Sequence, residues 1–246
     1  MIRRRFQLKE TIVTIIAEHE CEIEAGISAI IHHRRELESY IMKDPFFSVT
    51  LEPYEPELDD APLIVQKMVE ASKKVGCGPM SAVAGTIAYL ALSAMIEEGA
   101  DHAIVDNGGD IALTTDRSVI VGIYAGNSPV RDLAFEVEPV EEVLGICTSS
   151  GTLGHSISFG MADAACVVSH DVALADAAAT ALGNAVTGER IEDAFSVIKD
   201  ISEIDGGLII HRERIALWGE FPRLVKADVN PRLITGGITT CQGMTI

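Results

Sequence analysis

Two stretches of this chain read as helices with almost no polar face, and they constrain everything around them. The first runs from Pro79 to Glu98 and contains "MSAVAGTIAYLALSAMI". Pro79 suits a first helical position and Gly99 a stop, and a helix that is apolar all round must be covered on every side, so this one is expected at the centre. The second, "ALADAAATALGNAV" from Ala173 to Val186, is built of small apolar residues, with Asp171 as the expected N-cap and Gly188 as the stop. One stripe interrupts it. Asp176, Thr180 and Asn184 follow one another at helical spacing and so share a face. A carboxylate in such surroundings costs several kcal/mol unless a cation, a metal or hydrogen-bond donors compensate it.

The rest of the chain supplies strands to cover these helices. Arg3 to Glu18 reads as two short strands around Lys9 and Glu10, followed by an amphipathic helix from Cys21 to Met42 that ends before Pro45. "FFSVTLEPYEPEL" reads as a strand and a Pro-rich connection, and Ala61 to Val75 as a helix stopped by "GCGP". "HAIVD", "NGGD" and "IALTT" give strand, glycine turn and strand, and Val119 to Glu138 a hairpin through "AGNSP". "VLGIC" and "AACVVS" are strands flanking a long polar loop, "TSSGTLGHSISFGM"; a helix from Arg190 to Ile201 and the hairpin "GLIIHRERIALWG" close the series. Hairpins interleaved with long helices predict an α+β fold with mainly antiparallel sheet rather than a doubly wound parallel one. No repeat or linker divides the chain, so a single domain over residues 1–246 is expected.

Charge narrows the partners. With 37 acidic against 19 basic side chains the formal charge is -18, which repels nucleic acid and anionic membranes, and aromatic residues at 5% leave little for base stacking. Arg3, Arg4 and Arg5 are not followed by a continuous apolar stretch, because Gln7, Lys9 and Glu10 interrupt it. Five widely spaced cysteines without a C-x-x-C argue against a disulfide framework and a cysteine-built zinc site, and a reducing cytoplasm fits best. The acidic, Ala-rich character is compatible with a homodimer.

Four groups of residues can carry chemistry. "GCGPM" places Gly78 ahead of a helix whose first amides can receive an anion, or it is only a helix stop followed by a start. Asn107, Gly108, Gly109 and Asp110 form either a hairpin turn or a ligand loop. Thr148, Ser149, Ser150, Gly151 and His155 concentrate donors of the kind phosphate oxygens require, with Cys147 beside them as a candidate thiol nucleophile or a small core residue. Asp176 with Thr180 offers one charged and one neutral oxygen, a pair suited to Mg²⁺; the alternative has Asp176 bonded to loop amides and Thr180 to its own helix.

Taken in order, "NGGD", the "TSSG" loop with His155, and "ADAAAT" resemble the ApbE superfamily of flavin transferases. With "GPMSAVAG" and "CTSSGTLGHSISFGMADA" added, the pattern looks like a cytoplasmic ApbE-like branch of archaea and anaerobic bacteria, over roughly residues 1–240. The resemblance implies an ApbE-like fold, Mg²⁺ on Asp176 and Thr180, and FAD or another diphosphate ligand on Gly78, the 107–110 turn and the 148–151 loop. Cys147 and His155 become the catalytic candidates. Two departures accompany it: "GPMSAVAG" stands where the transferases carry a Lys-Gly pair, and "GHSISFGM" where they carry H-x-x-D-P-x-T-G. The close branch also implies an alternative, a sulfur-transfer factor of cysteine or homocysteine formation with a persulfide on Cys147 and a protein partner.

Overall fold

The computed structural model describes residues 1–55, 60–126, 128–150, 160–188, 190–227 and 235. A hairpin opens the chain, β1 (Ile2–Leu8) and β2 (Thr11–Ala17), followed by α1 (Glu20–Lys43), α2 (Leu63–Lys74) and α3 (Val83–Glu97). Then come β3 (Ala103–Asn107), β4 (Asp110–Thr115), β5 (Val119–Ile123), β6 (Leu133–Val137), β7 (Val140–Ser149) and β8 (Ala164–Ser169). Helix α4 (Val172–Ala185), β9 (Gly206–His211), β10 (Arg214–Gly219) and β11 (Arg223–Lys226) complete the order.

Eight strands form one sheet in the order β1-β2-β3-β4-β7-β8-β9-β10, and a second sheet has the order β11-β6-β5. Every pairing is antiparallel. The expected α+β architecture is therefore present, and part of its cause is local: two-residue turns join β1 to β2, β3 to β4 and β9 to β10, which parallel pairing would forbid. The large sheet is covered on both faces. Alternate residues such as Ala112, Cys147, Ala165, Val167 and Ile209 face the helices. Their neighbours Leu113, Ile146, Cys166, Val168 and Leu208 pack against Val121, Phe135 and Val137 of the small sheet. This two-sided cover explains why β8, "AACVVS", is buried at every position instead of alternating.

Helix α3 lies at the centre as its composition requires, packed on α1, α4 and the strands β3 and β4. With its lead-in, Pro79–Glu97 has the length and hydropathy (1.6) to cross a bilayer. Here Ile87, Ala88, Leu92 and Met95 are covered by the protein's own core. Gly26 of α1 allows close packing, with its missing side chain leaving room for Met95, whose Sδ would be 3.0 Å from an added Cβ. Asp171 caps α4 as expected, accepting from the Leu174 amide at 3.1 Å.

Three local expectations are corrected. The segment after Pro45 is a 3₁₀ turn, Pro45–Ser48, rather than a strand; Phe47 is fully buried with its ring edge-on to Tyr40, an anchor that one turn delivers and an extended strand would point away. Residues 190–201 hold a 3₁₀ helix, Ile191–Val197, rather than a longer α-helix, burying only Ile191, Ala194 and Phe195. Helix α4 ends at Ala185, before Gly188, because Val186 turns extended to enter the core.

Candidate functional site

Strand register assembles the site. Val13 pairs with Asn107, Asn107 with Asp110, Asp110 with Cys147 and Cys147 with Val167. Residues directly opposite one another share a face, and this row lies under the helices, where Val13, Cys147 and Val167 belong to the core. The turn that permits it is two residues long. Gly108 and Gly109 both have positive φ, 72° and 110°, a region that glycine enters without the strain an L side chain would bring.

Above the row, the start of α3 meets the middle of α4. A Cβ on Gly85 would lie 2.6 Å from both the Asp176 Cβ and the Val172 carbonyl oxygen, so only glycine allows this approach. The Gly85 amide donates to Asp176 Oδ2 at 2.7 Å, and the Ala84 amide also acts on this carboxylate. Asn107 Nδ2 donates to the Ala84 carbonyl at 3.0 Å. Asp176 thus caps α3 from another helix. Ala82, at the helix's own N-cap position, has no side chain that can do so.

Those amides leave the carboxylate undercompensated. Asp176 is 7% exposed, and burial pushes its pKa up to about 7 despite the bonds from Gly85 and Ala84. Asp110 is held well above the usual carboxylate range by burial first, then by the charges of Asp176 and Asp106; the Cys147 thiol and the Thr148 amide offset this only in part. No cationic group is among the main influences on either acid. A buried carboxylate and a half-buried one that repel each other, with a hydroxyl one turn away, are groups of the kind that can hold a hard cation. The Thr180 hydroxyl makes no hydrogen bond among the described residues, whereas those of Thr86 and Ser93 in α3 bond back to their own helix.

The other expected residues separate into distinct roles. Gly78 is not an open anion site: its amide donates to the Leu51 carbonyl at 2.8 Å, and a Cβ there would meet the Thr50 oxygen at 2.0 Å. Thr148 and Ser149 are the last residues of β7 rather than loop. Alternation therefore splits them. The Thr148 hydroxyl turns to Cys166 Sγ at 3.1 Å on the far face, while Ser149 Oγ faces Gly183 of α4. Ser150 follows β7, and Gly151 and His155 lie outside the described residues. Cys147 is fully buried, and burial with the nearby Asp110 and Asp176 charges raises its thiol well above the ordinary value. These surroundings disfavour the thiolate that a nucleophile or sulfur carrier requires.

Some participants were not singled out from the sequence. Gly85 was visible only as a glycine within an alanine-rich helix. Asp106 accepts from the Gly109 amide at 2.9 Å and from the hydroxyl of Thr235, whose oxygen lies 2.9 Å from that of Thr14 and can accept from it. The signal for Asp106 was an acid immediately before the Asn-Gly-Gly turn.

An antiparallel sheet with helices over one face, a small sheet on the other and an acid-bearing helix crossing the glycine turn defines an ApbE-like protein. The comparisons agree. A family model described as AbpE bacteria matches residues 2–204. A UPF0280 protein of Methanosarcina acetivorans is 56% identical over 237 residues, 95% of this chain and 93% of its own length. One from Methanococcoides burtonii is 52% identical over 238 residues, 96% and 100% of the two chains. The chain belongs to this ApbE-like family of UPF0280 proteins. Among solved structures, the apo flavinyl transferase ApbE of Pseudomonas stutzeri superposes with a TM-score of 0.57 at 11% identity, covering 89% of this chain and 94% of that one. A variant of the flavin transferase ApbE of Vibrio cholerae gives 0.57 at 14%, covering 89% and 96%. These two share the fold.

Proposed function

We propose that this protein binds a flavin dinucleotide such as FAD, or another diphosphate ligand, together with Mg²⁺, and acts in the cytoplasm as a flavin-transferase-like protein. The observation that carries the reading is the repelling pair of buried Asp176 and half-buried Asp110, with no cationic group among the main influences on either. The residues present fit the ion: Asp176 and Thr180 would hold it from α4, with Asp110 facing them from β4. When bound, Mg²⁺ would neutralise diphosphate oxygens and stabilise charge developing there. The protein's own part is positional. The Gly85 and Ala84 amides fix the Asp176 carboxylate, Asn107 ties the turn to the same stretch of α3, and Ser149 offers a hydroxyl beside α4. The similarity to flavin transferases supports the ligand class, and a protein acceptor and a homodimer belong to the same proposal.

The test is a titration of FAD, followed by its fluorescence, with and without Mg²⁺, on the native chain and on Asp176→Asn. Asparagine keeps an acceptor for the α3 amides and removes the charge. Mg²⁺ is expected to tighten FAD binding by about tenfold or more, about 1.4 kcal/mol, in the native chain only. Equal affinity in all conditions would overturn the assignment.

A further inference from the structure

A second cluster lies far along α1. His32 Nε2 and His33 Nδ1 approach the same atom, Glu36 Oε2, at 3.5 and 2.8 Å. All three donor atoms lie within 4.8 Å of one another, and the two imidazole rings are 4.9 Å apart, edge to face. A helical His-Glu pair needs one imidazole per carboxylate. Here two converge on one oxygen. Four ligands at about 2.0 Å around a tetrahedral ion are about 3.3 Å from each other, so small side-chain rotations bring these three into coordination distance.

The cluster also opens onto space. His32 and Glu36 line a cleft of about 490 Å³, with Arg35, Lys43 and Asp60 on its walls. We propose that His32, His33 and Glu36 form a binding site for a divalent ion of the zinc class, distinct from the carboxylate site under α3. Two imidazoles and a carboxylate select Zn²⁺, Ni²⁺ or Co²⁺ over Mg²⁺, which prefers oxygen ligands. Three protein donors leave a coordination position facing the cleft. A small anion attracted by Arg35 and Lys43 on the walls of the cleft can fill it.

The experiment is calorimetric titration of the full chain, stripped with a chelator, with Zn²⁺ alone and then in a large excess of Mg²⁺. One ion per chain is expected, undisturbed by Mg²⁺ and retained in Asp176→Asn, which separates this site from the first. His33→Ala and Glu36→Gln should each weaken Zn²⁺ binding by about tenfold or more. His32→Ala should do the same, and because His32 is 65% exposed at its side chain, this replacement leaves the fold intact, as far-UV circular dichroism will verify. Absence of saturable binding in the native chain overturns the proposal. So does Zn²⁺ affinity unchanged in His32→Ala, or binding abolished only by blocking the thiols.

Discussion

Asp176 carries two opposing demands. Its carboxylate is the acceptor that caps the start of α3, yet it is an acid, buried and beside Asp110. The sign of the pH effect follows from its raised pKa. Folding favours the protonated form, so the contribution to stability is fully present below the unfolded value near pH 4 and is lost as pH rises through about 7. In a chelating buffer this amounts to about 4 kcal/mol as an upper bound. Urea unfolding between pH 5 and 8 should therefore show the native chain losing stability relative to Asp176→Asn, with the variant the more stable above pH 7. Added Mg²⁺ should close the gap. Cys147 gives a second prediction at this scale. A thiol probe applied to the folded chain should modify exposed Cys21 and leave buried Cys147 and Cys166 untouched until urea unfolds it. Rapid labelling of Cys147 would restore the sulfur-carrier reading.

Between elements, the decisive contact is the crossing of α3 and α4. Inside an ordinary helix, replacing glycine by alanine gains about 1 kcal/mol. At Gly85 the new Cβ would overlap Asp176 and the Val172 carbonyl, and forcing such contacts typically costs about 1–3 kcal/mol or more. The clash wins. Gly85→Ala should lower the urea midpoint and weaken Mg²⁺-dependent FAD binding together, whereas Gly76→Ala, where an added Cβ meets nothing within 4 Å but φ is +71°, should affect stability alone. Hairpins and caps at this scale were readable from the chain because each depends on a few adjacent residues: the Asn-Gly-Gly-Asp turn and the Asp171 cap occupy their expected places. The end of β7 was not. Two further residues pair with β8, Thr148 with Cys166 and Ser149 with Ala165, and that pairing sends neighbouring hydroxyls to opposite faces.

At the scale of the molecule, the large sheet joins both cores, since its strands supply residues to the helical side and to the small sheet. A single domain should follow. The one tryptophan, Trp218 on β10, packs against Phe195 at 6.4 Å and reports on the sheet edge. Its fluorescence and far-UV circular dichroism should therefore give coincident urea transitions. Separate midpoints would divide the chain into two folding units.

Sequence by itself determined the antiparallel hairpins, the central position of α3 and the presence of an acid needing compensation on α4, because periodicity and turn chemistry act over a few residues. Tertiary structure decided what that acid meets. Register placed Asp110 and Cys147 in one row, and the absence of a side chain at Gly85 let α3 come close enough to donate its amides. Those partners lie far apart along the chain, and no local pattern records which surfaces will pack together.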